Sequence, residues 1–179
     1  MKRLAMVVMT VCFLAFFVSC SSSEKAIDGG RYLILSKASG FCLDVSGNSR
    51  DKGVPVIQWE VNEGAKNSPN QVWKLKKVSG MGENVYKLFV ESTSFCLDVE
   101  GISTNNNARI VQWPENGDAA VNQLWTFERS GRYYKIRAKV SNKLLTIGGI
   151  VTEKGGNLTQ FDELPGNPDN QLWKLVRAK

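Results

Sequence analysis

Gln-x-Trp occurs three times in this 179-residue chain, as Gln71-Val72-Trp73, Gln123-Leu124-Trp125 and Gln171-Leu172-Trp173, at intervals of 52 and 48 residues. Upstream of each copy stands a second matched segment: Phe41-Cys42-Leu43-Asp44-Val45, Phe95-Cys96-Leu97-Asp98-Val99 and Lys143-Leu144-Leu145-Thr146-Ile147. Gln58-Trp59, Gln112-Trp113 and Gln160-Phe161 follow these in the same order. The step from Asp44 to Trp59, from Asp98 to Trp113 and from Thr146 to Phe161 is 15 residues each time. A recurrence near 50 residues that preserves both order and spacing marks a threefold repeat. Each unit then buries its apolar face only against the other two.

Within a repeat the apolar residues alternate over short runs: Tyr32 to Leu35, Cys42 to Val45, Val54 to Ile57 and Trp73 to Leu75 in the first. Alternation with a period of two predicts strands, four per repeat and about twelve in all. Turn-forming residues separate them, as in Ser46-Gly47-Asn48, Asn116-Gly117-Asp118 and Pro165-Gly166-Asn167-Pro168. No window carries a helical period. Residues 31–179 make up one domain's worth of chain, with repeats at about 31–80, 81–130 and 131–179.

The first residues read as export rather than fold. Lys2 and Arg3 precede an apolar run from Leu4 to Val18, too short to span a bilayer comfortably, and Ser19-Cys20 closes it. The pattern resembles the lipobox of bacterial lipoproteins. It implies a signal peptide over 1–19, a lipid on Cys20, and a place in the bacterial cell envelope, at the outer membrane or cell surface. The small polar residues 20–30 are expected to be a flexible tether. Losing Lys2 and Arg3 lowers the formal net charge from +6 to +4. The remaining positive residues are scattered, which argues against nucleic acid as a partner. Cys42 and Cys96 occupy equivalent points of two repeats and are expected to be buried free thiols. With no histidine and no close cysteine pair, neither a metal site nor a cofactor is expected.

Cys-Leu-Asp-Val, a Gln-Trp 14 to 15 residues on, and Asn-Gln-x-Trp resemble the ricin B-type lectin repeat over residues 31–179. The resemblance implies an all-β fold, a β-trefoil with pseudo-threefold symmetry, and carbohydrate binding. Binding a neutral sugar takes a flat apolar surface for the C–H face of the ring and fixed polar groups for its hydroxyls. The resemblance assigns these roles in repeat two to Asp98, Trp113, Asn122 and Gln123, and in repeat one to Asp44, Trp59, Asn70 and Gln71. Trp59 and Asn70 are eleven residues apart, against nine for Trp113 and Asn122, so repeat two fits better. Repeat three keeps Asn170 and Gln171 but has Thr146 for the carboxylate and Phe161 for the indole, a degenerate site. Gln58, Gln112 and Gln160 directly precede the aromatic, and strand alternation turns them away from its side. A duller reading makes Asp44 and Asp98 caps of their own turns, the Gln-x-Trp tryptophans core residues, and the glutamines partners of backbone groups.

Catalysis finds little support. General acid–base chemistry would fall to carboxylates, and Asp44 and Asp98 belong to different repeats. The expectation is a noncatalytic, membrane-anchored protein that binds a glycan or polysaccharide. The alternative is a scaffold that binds a protein through loops 60–70 and 100–109. Asp98 and Trp113 lining one open cavity favours the former; Asp98 bonded to its own turn, with Trp113 covered, favours the latter.

Overall fold

The computed structural model describes residues 23–62, 64, 66–149 and 152–179. The expected signal peptide over 1–19 and the expected lipid site at Cys20 therefore lie outside the described residues. Twelve strands form in three groups of four: β1 (Arg31–Ser36), β2 (Cys42–Val45), β3 (Val56–Trp59) and β4 (Trp73–Lys77) in the first. β5 (Val85–Val90), β6 (Cys96–Val99), β7 (Ile110–Trp113) and β8 (Trp125–Ser130) make the second. The third holds β9 (Tyr133–Ala138), β10 (Leu144–Ile147), β11 (Leu158–Phe161) and β12 (Trp173–Arg177). β1 pairs with β12 and β4, β5 with β4 and β8, and β9 with β8 and β12, so six strands close a barrel without a free edge. The three remaining hairpins cap one end. They touch one another through single bridges, Pro55 to Val111, Ile57 to Asn157 and Arg109 to Thr159.

Two sequence expectations need correcting. The third strand of repeat one runs from Val56 to Trp59 rather than from Val54, because its ladder with β2 sets Cys42 opposite Trp59 and Val45 opposite Val56. Pro55, which has no N–H to give a ladder, falls just outside. The second correction concerns the tether. From Ser23 onward this segment packs into the barrel end away from the hairpins, with Ser23 and Ala26 buried. Tyr32, Tyr86 and Tyr134, one from each repeat, line that end. The Tyr32 hydroxyl donates to Lys25 O, the Tyr86 hydroxyl donates to Ala26 O, and the Tyr134 hydroxyl accepts from Ala26 N–H. Glu24 N–H donates to Leu175 O, and the Ser23 hydroxyl accepts from Leu175 N–H. Small polar residues suit this role because a barrel mouth offers unpaired polar groups that water or a strap must satisfy.

Trp73, Trp125 and Trp173 are fully buried at the centre, and each indole N–H donates to a carbonyl of the hairpin in its own repeat: Leu43, Leu97 and Leu145. The core tryptophans thus fix where the hairpins sit on the barrel. Cys42 and Cys96 are buried and unpaired, and burial pushes both thiols up to about 12.

Candidate functional site

Each hairpin carries its acidic or Thr position and its aromatic in the same register. Asp44 stands opposite Ile57, Asp98 opposite Val111 and Thr146 opposite Thr159, with the aromatic two residues further on. Constant 15-residue spacing is what keeps this register, since slipping by one residue would turn the aromatic to the other face. Asp44, Trp59 and Asn70 line a cavity of about 400 Å³ together with Ser46, Asn48 and Ile57. Asp98, Trp113 and Asn122 line a second, of about 360 Å³, with Glu100, Ile102 and Asn116. Trp59, Trp113 and Phe161 are all half-buried.

The carboxylates are clamped from one side. Asp98 Oδ2 accepts from Asn122 Nδ2 at 2.9 Å and from Gln123 Nε2 at 2.9 Å. Asp44 Oδ2 accepts from Asn70 Nδ2 at 3.0 Å and Gln71 Nε2 at 2.8 Å. Two amides hold one oxygen of each carboxylate, which leaves the other for the cavity. Neither aspartate caps its own turn. Burial pushes the Asp98 carboxyl up to about 6 although both amides pull it down, and it raises Asp44 in the same direction.

Gln71 and Gln123, read from the sequence either as sugar contacts or as partners of backbone groups, are both fully buried. They act on the site through the aspartates. Gln123 also donates to Pro114 O and accepts from Asn116 N–H, while Gln71 donates to Glu60 O and accepts from Asn62 N–H. One side chain thereby ties the loop bearing a lining asparagine to the carboxylate. In repeat two that loop has a further tie: Lys87, fully buried, reaches Glu115 at 2.8 Å, and its ammonium donates to Gly117 O.

Repeat three keeps the frame without its acceptor. Gln171 donates to the Thr146 hydroxyl at 3.2 Å, and that hydroxyl donates to Leu144 O. Asn170 donates to Ile147 O instead of to a carboxylate. A Phe161 ring remains, with a threonine hydroxyl in place of the carboxylate.

The glutamines before the aromatics turn inward and lock neighbouring repeats. Gln112 Nε2 donates to Ser49 O and Asp51 O of repeat one, Gln160 Nε2 to Ser103 O and Asn105 O of repeat two, and Gln58 Nε2 to Glu153 O of repeat three. The loops held by Gln112 and Gln58 also back the indoles that follow them. Lys52 Nζ lies 5.3 Å from the Trp113 ring centroid, and Lys154 Nζ lies 5.4 Å from that of Trp59. Gly53, at φ 78°, is so close to the Trp113 ring that a Cβ there would sit 3.4 Å from it. Sequence reasoning missed these backing loops and the turns Ser46-Gly47-Asn48 and Glu100-Gly101-Ile102 as cavity walls. The equal spacing after each aspartate was the available signal. Among the described residues no group of three His, Cys, Asp or Glu side chains converges as a metal site would require.

A family model described as ricin-type beta-trefoil lectin domain-like matches residues 17–113 and 121–179. Among solved structures, the designed threefold-symmetric protein ThreeFoil is 35% identical, covers 82% of this chain and 98% of its own, and gives a TM-score of 0.73. An exo-beta-1,3-galactanase from Clostridium thermocellum is 33% identical over 86% of this chain and 31% of its own, with a TM-score of 0.75. The chain therefore spans about a third of that enzyme's length. A ricin B-like lectin from Macrolepiota procera, solved with lactose, shares the fold at 20% identity, a TM-score of 0.68, and coverage of 86% of this chain and 99% of its own. No curated protein matches.

Proposed function

The chain belongs to the ricin-type beta-trefoil lectin-like domains, and from that premise we propose that it is a noncatalytic carbohydrate-binding protein with working pockets in repeats one and two. The observation that carries this reading is the second cavity. It combines a half-buried indole, an aspartate oxygen left unclaimed by the two amides that fix its twin, and an asparagine at the edge. An indole supplies the stacking surface, and an ionised acceptor makes stronger hydrogen bonds to hydroxyls than a neutral one does. The first cavity has the same three parts. The third repeat, without a carboxylate, is silent or altered.

Glu100 brings a second carboxylate to the second cavity, but it is half exposed and paired with Arg109 at 3.4 Å. Engaged with that guanidinium, it does not stand as a free partner to Asp98 for the paired-carboxylate chemistry of hydrolysis, which favours binding. A single pocket making one stack and a few hydrogen bonds binds at roughly 0.1 to 1 mM, about 4 to 5.5 kcal/mol. Two pockets on one body raise avidity for a polymeric glycan.

The leader and Ser19-Cys20 support anchoring in a bacterial envelope through a lipid on Cys20. Only Ser21 and Ser22 separate Cys20 from the packed Ser23, a reach of about 11 Å. The strap enters where β1 begins, and the hairpins follow where β1 ends. Anchoring at Cys20 therefore holds the strapped end against the bilayer and turns the pockets outward.

A glycan array probed with the multivalently displayed protein, beside the double variant Asp98→Ala, Trp113→Ala, tests the binding reading. Recognition of one sugar class that disappears in the folded variant is expected. Silence from a folded wild type on a broad array sinks it in favour of a scaffold that binds protein through loops 60–70 and 100–109.

A further inference from the structure

The two cavities share one frame and differ along one wall, the turn that follows the aspartate. In repeat one that turn is Ser46-Gly47-Asn48, and in repeat two it is Glu100-Gly101-Ile102. The third residue of each has left-handed backbone, Asn48 at φ 51° and Ile102 at φ 55°. Asparagine tolerates that conformation. A β-branched residue there is a genuine outlier, and such outliers persist where function or surroundings hold them. Ile102 is also 60% exposed, the most exposed large apolar side chain among the described residues. Strain in the backbone and apolar surface in water are both unfavourable, and an asparagine at the same place in repeat one avoids both.

A second difference points the same way. In repeat one the Ser68 hydroxyl donates to Asn70 Oδ1 at 2.6 Å, so that oxygen is already engaged. Ala120 occupies the equivalent place in repeat two: its carbonyl accepts from Gln123 N–H as that of Ser68 does from Gln71 N–H. Asn122 Oδ1 is then left as an acceptor at a cavity whose apolar groups are Trp113 and Ile102. Asp98 and Glu100 line the same cavity and repel an anionic sugar.

We propose that Ile102 makes the second pocket selective for a neutral sugar carrying a methyl group, an acetamido or a 6-deoxy sugar, while Asn48 fits the first to fully hydroxylated sugars. Ile102 supplies the apolar contact for the methyl. The free Asn122 oxygen accepts the N–H of an acetamido group or a remaining hydroxyl. This inference rests on the carbohydrate-binding reading above.

The test uses the full chain in detergent, with Trp59→Ala closing the first pocket, and titrates matched sets: galactose, N-acetylgalactosamine and 6-deoxygalactose, and the same three in the glucose series. The methyl-bearing member of one set is expected to bind about tenfold more tightly than its parent, the scale of discrimination one apolar group gives. Which member does so tells acetamido from 6-deoxy. Ile102→Asn is expected to bring that ratio close to one without lowering the melting temperature, since asparagine relieves the backbone. In a chain with Trp113→Ala in place of Trp59→Ala, Asn48→Ile is expected to introduce the preference into the first pocket. A ratio unchanged by Ile102→Asn, in a protein whose binding Trp113→Ala abolishes, overturns this inference and leaves the carbohydrate reading standing. Absence of binding to every sugar by a folded chain overturns both.

Discussion

Asp98 is nearly buried, and burial lifts its carboxyl to about 6 while the amides of Asn122 and Gln123 oppose the lift. If the ionised Asp98 is the sugar acceptor, as proposed, binding at the second pocket should follow that titration: at pH 5 only about a tenth of Asp98 is ionised, so affinity is expected to fall up to about tenfold from its value at pH 7.5. Titrations of a Trp59→Ala chain at the two pH values check this, and a flat profile would contradict it. The stability consequence has the opposite sign to that of a salt-bridged carboxylate. The folded state binds the proton more tightly than the unfolded one, so the Asp98 contribution is greatest below the unfolded value of 3.8 and is lost as pH rises through about 6. Asp98→Asn should remove that slope. At this scale the sequence named the aspartates, tryptophans and asparagines correctly as neighbours, because residues on one hairpin with fixed spacing must share a face. It left Gln71 and Gln123 between two readings, sugar contact and partner of backbone groups, since spacing cannot tell a ligand contact from a side chain that holds the contact in place. Ile102 was invisible: its importance lies in a backbone angle.

At the scale of elements, the inward glutamines make each platform depend on the repeat before it. Gln112 accepts from the Thr93 hydroxyl at 3.0 Å and donates to Ser49 O and Asp51 O, and the 49–53 loop it holds packs on Trp113. Gln112→Leu keeps the volume and removes three hydrogen bonds, so it should cost about 2 to 4 kcal/mol of stability. It should also weaken sugar binding at the second pocket, although Gln112 does not line it. Denaturant unfolding and titration of the same variant check the pair of effects; lost stability with binding unchanged would show that the loop does not support the platform. The twelve strands were legible because alternation and turn residues agree in every repeat. The lock was half legible: alternation turned the glutamines away from the rings, but their partners lie in loops 49–51, 103–105 and 153, and one repeat's sequence does not say which neighbour it will meet.

For the whole molecule, the segment that composition marks as a tether is the barrel's third kind of closure, beside the strands and the hairpin cap. Its backbone meets the hydroxyls of Tyr32, Tyr86 and Tyr134, groups that a short polar sequence cannot announce because the partners come from three distant strands. A chain that begins at Gly30 gives up these bonds, the ladder contacts to Leu75 and Leu175, and the burial of Ala26. Water replaces part of the loss, so the expected destabilisation is about 3 to 5 kcal/mol rather than the sum of the bonds. Urea unfolding of the two chains measures it, and equal stability would return the segment to the role of tether. A docked strap also fixes orientation if the lipid is on Cys20, since about 11 Å of chain cannot let the body turn over. Lys25 and Lys77 belong to the strapped end, where Asp28 on the strap accepts from Lys77 N–H. Lys52 and Lys154 lie beside the indoles at the capped end. In vesicles carrying the full chain, a water-soluble acylating reagent should modify Lys52 and Lys154 as readily as in detergent and Lys25 and Lys77 several-fold more slowly. Equal protection of both pairs would mean that the body lies on its side, and no protection of either would mean that it stands clear of the lipid on a longer leash than the packed strap allows.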